Sequence, residues 1–266
     1  MLVRDDDLVI GQPAHAWVSG QLARAWGNAA FPPPAPREPV CLAAEQHDVG
    51  WSQADLAPPL ADDGRPLAFV AIPRPMHVAI WRDAPGRLLA QSRYAALLVS
   101  LHGTSLYERI DPDAYAPELA AEIRDYVTGQ RRLQRRLAAG LDAGEIDRNR
   151  RLVLALDRLS LALCHGTAAT LENVPGAGGT ATIRVEPTGE GEATSRPTAP
   201  ARDDHAVPPD AATERFLLSP WPFTAAGVVV GCEARHLPGA FADAAALEAA
   251  LAAAPWHALR WELNPG

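Results

Sequence analysis

The stretch AAEQHDVGW, residues 43–51, places His47 and Asp48 side by side at the end of an apolar segment. Burying unpaired polar groups there is costly, so the pair calls for partners. Four further residues fall on or beside apolar helical stretches: His15, His77, His102 and Asp157. Histidine offers a neutral imidazole nitrogen and aspartate a hard anionic oxygen, a mixture that suits one or two divalent ions among Fe, Mn, Zn, Ni and Mg. Successive residues on a helix stand about a hundred degrees apart, so His47 and Asp48 reach one centre only at a helix end. Gly50 is read as supplying that end.

The elements that must carry these residues are mostly helical. Pro13 opens a helix that holds His15, Trp17, Val18, Leu22 and Trp26 and stops at Gly27-Asn28. FPPPAP forms an extended link to a short helix over Pro39–Ala44. After a turn-rich stretch, one helix contains His77 and Trp81 and another runs from Arg93 through His102 to Leu106. Residues 117–139 are a strong helix with Arg131, Arg132, Arg135 and Arg136 on its wet face, and a last helix, 146–165, lines up Val153, Asp157, Leu161 and His165. Asp157 in an apolar stripe again calls for a partner.

From Asn173 the chain turns rich in Gly, Pro and Thr, with TATIRV alone resembling a strand; ERFLLSPWPF, GVVVGCEARHL and WHALRWEL then read as strands around a helix over DAAALEAALAAA. The expected organisation is a helical metal-binding domain over 1–172, a loop or linker over 173–212 and a small α+β extension over 213–266.

A net charge of −8 argues against a nucleic-acid surface, and no apolar run approaches the length of a membrane span. Cys41, Cys164 and Cys232 show no disulfide or thiolate-metal spacing, and with no signal-peptide pattern a cytoplasmic protein is expected. Walker, GxGxxG and GxSxG motifs are absent. His205 falls in the loop, and His236 and His257 in the C-terminal strands, where solvated or structural roles suffice.

The order H…HD…H…H…D resembles the HD-domain superfamily of helical metalloproteins, and DRLSL around Asp157 is similar to its last helix. The resemblance implies a mostly α, HD-domain-like bundle. It also implies metal ligation by His15, His47, Asp48, His77, His102 and Asp157, with Asp48 catalytic and able to bridge two ions. The implied activity is a metal-dependent phosphohydrolase acting on a small molecule; a di-iron oxygenase or a non-catalytic metal- or ligand-binding module uses the same ligands. Many two-metal members carry a lysine where this chain has Trp51, which can stack on a ring but brings no charge. Gln46, Trp51 and His165 are the candidate substrate contacts. QHD-x-GW, AALLVSLHGTSLY and SPWPF are also similar to an uncharacterised bacterial family that brings no established reaction.

Overall fold

The computed structural model describes residues 1–4, 7–188 and 213–266. Helix α1 spans Gln12–Ala25 with proline in its first turn, and the chain leaves it in extended conformation at Trp26. Helix α2 spans Arg37–Glu45 and ends before the His47-Asp48 pair, which sits in the turn that follows. Proline also starts α3, Arg74–Asp83, while the Ser92 hydroxyl accepts from the Ala95 amide to cap α4, Arg93–Ser105. The amphipathic α5 covers Pro117–Leu137, and Arg131, Arg132, Arg135 and Arg136 point to solvent as the pattern predicts. In α6, Ala143–His165, Asp142 caps the start and Gly166 ends the helix in the left-handed conformation glycine tolerates.

The strands overturn the expected fold class. Among the described residues, β1 (Leu2–Val3), β2 (Leu8–Ile10), β3 (Ala169–Gly176), β4 (Gly179–Pro187), β5 (Thr213–Ser219), β6 (Val228–His236) and β7 (Trp256–Pro265) form one sheet in the order β1-β2-β6-β7-β5-β4-β3. Only β5 and β7 pair parallel. The protein is therefore an α/β fold with a seven-stranded mixed sheet, not an all-α, HD-like bundle carrying a small C-terminal extension. The sheet's first strands come from the extreme N-terminus, in MLVRDDDLVI, too short to show an alternation. Strand β3 was hidden by Asn173, Pro175 and Gly176: Asn173 adopts φ 58° where the register slips between Leu171 and Val174, a bulge that keeps the pairing to β4. Of the linker expected over 173–212, residues 189–212, with His205, lie outside the described residues. Helix α7, Ala244–Ala253, lies where the sequence placed it.

Helices α1 and α6 pack on each other and on the sheet, α1 against β6 and α6 against β3; α2 and α4 pack on their far side, and α3 and α5 lie against α4 or each other. One apolar core runs through both layers, from Leu22, Leu98 and Leu159 of the helices to Phe216 and Trp261 of the strands. No helix among the described residues is long and apolar enough to cross a membrane.

Gly50 acts by close approach, not as a helix cap. It lies in the short 3-10 turn Val49–Ser52, and a side chain there would strike the Ile80 carbonyl and the Ala84 methyl of the α3 region. We predict that Gly50→Ala lowers unfolding stability by about 1–3 kcal/mol through overpacking. Denaturant unfolding measures this; an unchanged midpoint would show that the contact is not tight.

Candidate metal centre

Four helical segments deliver five titratable side chains to one buried place. His15 comes from the first turn of α1, His47 and Asp48 from the turn after α2, His102 from α4 and Asp157 from the middle of α6. None is more than 8% exposed. The turn frees His47 and Asp48 from regular helical spacing, since Gln46 and Asp48 both have ψ near zero.

Two of the three imidazoles are oriented from behind. His47 Nδ1 donates to the Ala44 carbonyl at 2.8 Å, leaving Nε2 to face the cluster. There it lies 3.3 Å from Asp157 Oδ1 and 3.7 Å from Asp48 Oδ2, yet makes no hydrogen bond. The Ser160 hydroxyl donates to the Asp157 carbonyl at 2.8 Å, so His15 Nδ1, 2.9 Å away, donates to Ser160 Oγ. His15 Nε2 then faces Asp48 Oδ2 at 2.6 Å, a hydrogen-bond separation. His102 Nε2 is 3.8 Å from Asp157 Oδ2, and its buried Nδ1 has no partner.

The electrostatics describe a site short of positive charge. Burial pushes His47 towards the neutral form, but Asp48 and Asp157 outweigh it and hold the imidazole up to about 9. Burial likewise opposes ionisation of Asp157 and Asp48, and the facing histidines override it, so both carboxyls sit below the usual carboxylate range. His102, penalised chiefly by burial, falls to about 4 and is neutral.

These residues form two groups that could hold a metal ion, His15–His47–Asp48 and His47–His102–Asp157. The distances fit. Bonds of ~2.1 Å to one ion keep neighbouring donors ~3.0–3.5 Å apart, the range in which His47 Nε2 and Asp157 Oδ1 lie. His15 and Asp48, at hydrogen-bond separation, would have to open by roughly half an ångström to join the same ion.

His77 stands outside both groups. Its Nδ1 bonds the Tyr107 hydroxyl at 2.5 Å and its Nε2 accepts from Trp81 Nε1 at 3.2 Å, so both nitrogens are engaged. It nevertheless lines the same cavity of about 280 Å³, together with His15, Asp48, His102 and Asp157. Trp51 is in that wall as well, 2% exposed and edge-on to the His77 ring at 6.0 Å. Gln46, at the C-terminus of α2, and His165, the exposed last residue of α6, do not line the cavity.

Sequence reasoning missed Gln12, Arg74, Tyr107 and Ser160. Three carry a helical signal: Gln12 is one turn before His15, Arg74 one turn before His77 and Ser160 one turn after Asp157. Gln12 is buried, with Nε2 unpartnered and lining the cavity. Tyr107 lies beyond the end of α4, where periodicity says nothing.

Among known families, the model described as "Protein of unknown function (DUF3891)" matches residues 1–239, which contain every residue of the cluster. No curated protein and no solved structure matches the chain.

His77 also sets an acid limit on stability. Burial, with Arg74 adding to it, lowers His77 to about 4. Unfolding returns it to an ordinary value near ~6.5, so the unfolded chain binds the extra proton between those values. Its contribution is complete above pH ~6.5 and is lost as the pH falls towards 4. In chelator-treated protein, His77→Phe should lose less stability than the parent between pH 7 and pH 5; parallel losses would refute the assignment. His102, lowered by the same burial, keeps the variant's profile from becoming flat.

Proposed function

The chain belongs to the DUF3891 family of proteins of unknown function, and we propose that it is a hydrolase that uses one divalent metal ion to cleave a small phosphorylated molecule. The observation that carries this reading is His47 Nε2, buried between two carboxylates and without a hydrogen bond. A metal ion meets that nitrogen's need and both carboxylates' charge at once. The order of donors, which is similar to that of the HD-domain superfamily, supports the same reading, although the sheet makes the fold a different one.

One ion fits better than two. Both candidate groups draw on His47, and with Nδ1 committed to Ala44 they draw on the same Nε2. The engagement of His77 by Tyr107 and Trp81 removes the remaining donor a second ion would need. This counts against the di-iron oxygenase. Mixed imidazole and carboxylate donors suit Mn, Fe, Zn or Ni better than Mg.

When bound, such an ion acts as a Lewis acid on an ester oxygen and makes water a nucleophile near neutral pH. The chain's own residues supply the rest. Asp48, oriented by His15, accepts the proton of the attacking water. Gln12 Nε2 donates to a substrate oxygen. Trp51 and Trp81 wall the cavity and keep bulk water away from the reacting group.

Protein purified without chelator or affinity histidines should carry about one equivalent of a transition metal, falling below ~0.1 in His47→Ala and Asp157→Ala. Ser160→Ala, which removes the group orienting His15, should weaken metal affinity ~10–100-fold. Metal-stimulated cleavage of generic phosphate mono- and diesters, followed by release of the alcohol, tests the reaction. Absence of metal, or indifference to both alanine variants, overturns the proposal; bound metal with no ester cleaved returns the protein to the class of binding modules.

A further inference from the structure

Arg74 supplies the single positive side chain in the cavity wall. It is half-buried in the first turn of α3, and among the described residues no carboxylate pairs with it. Its polar neighbour is the Tyr107 hydroxyl, whose acidity burial pushes down, to a pKa of about 12, against the opposing pull of Arg74. Tyr107 is therefore neutral, and so is His77 beside it. Neither offsets a guanidinium. A lining cation left without a counter-charge is suited to one brought by a ligand.

The charge sum of the cavity then constrains that ligand. Asp48 and Asp157 together balance a divalent ion, and neutral imidazoles add nothing, so the wall keeps the one positive charge of Arg74. One negative charge complements it. A doubly charged phosphate monoester would leave one charge uncompensated in a low-dielectric site.

The rest of the lining is apolar: Trp51, Phe69 and Trp81 bring rings, and Val70, Ile72, Leu106 and Leu161 bring aliphatic side chains. Ring contacts run from His102 to Trp81 at 5.4 Å, on to His77 at 6.1 Å and to Tyr107 at 5.5 Å, so the metal donors and the Arg74 end are joined by a continuous aromatic wall. A volume of about 280 Å³ is at the small end for ligand cavities and fits a one-ring compound, not a nucleoside triphosphate. The unpartnered Gln12 Nε2 adds one buried donor for a substrate oxygen.

We propose, building on the one-ion reading above, that the substrate is a small singly charged oxyanion with an aromatic or branched apolar body. Arg74 holds its charge, and Trp51 and Trp81 contact its body. Arg74 thereby brings the charge that Trp51 does not.

Calorimetric titration of the full chain, metal-loaded where it takes metal and as purified where it does not, tests this with four one-ring probes. These are benzoate, phenyl methylphosphonate, phenyl phosphate and benzyl alcohol. The two monoanions should bind, and the dianion and the alcohol should bind at least about tenfold more weakly. Preference between benzoate and the phosphonate tells carboxylate from phosphorus oxyanion. Arg74→Gln should weaken both monoanions by at least about tenfold while leaving benzyl alcohol unchanged, and Arg74→Lys should restore part of the loss. Monoanion binding indifferent to Arg74→Gln, or an alcohol or dianion that binds as well as the monoanions, overturns the inference. Failure to take up metal sinks the hydrolase reading; Arg74-dependent monoanion binding by the protein as purified would then uphold the inference, and its absence would overturn it.

Discussion

Asp48 and Asp157 are two buried carboxylates that both approach one imidazole nitrogen. Like charges held close to one nitrogen repel each other, and each has also given up its hydration. Such a pair persists only around positive charge. In the protein alone that charge is a proton on His47; a divalent ion compensates both carboxylates where a single proton compensates one. The arrangement around them makes sense as the means of bringing that cation's donors together. Ser160 and the Ala44 carbonyl each hold one imidazole nitrogen so that the other faces inward. Ser160 also receives the Ser19 hydroxyl, which ties α1 to α6 at the level of the cluster.

The sheet matters to this centre although it contributes none of the five donors. Helices α1 and α6, which carry His15 and Asp157, rest on β6 and β3 respectively, and those strands belong to one continuous sheet. Gln21 reinforces the first contact by bonding both the amide and the carbonyl of Gly231. The separation of His15 from Asp157 is thus set by packing on a common layer, and α2 and α4 complete the site from the opposite side.

The donors were legible because helices advertise their buried faces. A polar residue in an apolar stripe stands out at three-and-four spacing, and His15, His102 and Asp157 did so. His77 shows the limit: the same spacing brought it to the cavity wall, but only the structure reveals that Trp81 and Tyr107 take both its nitrogens. The sheet was largely illegible for a different reason. Strands β1 and β2 are two and three residues long, and β3 is broken by a bulge at Asn173, so neither displays the alternation by which strands are recognised. Their pairing depends on β6 and β4, partners distant in sequence or masked by turn-forming residues.

QHDVGW can now be understood residue by residue. His47 and Asp48 face the cluster because α2 ends at Glu45 and the following turn releases both from helical spacing. Gly50 admits the Ile80 carbonyl where any side chain would collide, and this lets α3 lie against the turn. Close approach of α3 brings Arg74, His77 and Trp81 to the wall that Trp51 shares. The segment therefore does two things in six residues: it supplies two donors to the buried centre, and it seats the helix that brings the cavity its guanidinium, one indole and one imidazole. A lysine at position 51 would place a cation beside the cluster; tryptophan there keeps that wall apolar and leaves the positive charge to Arg74 on α3.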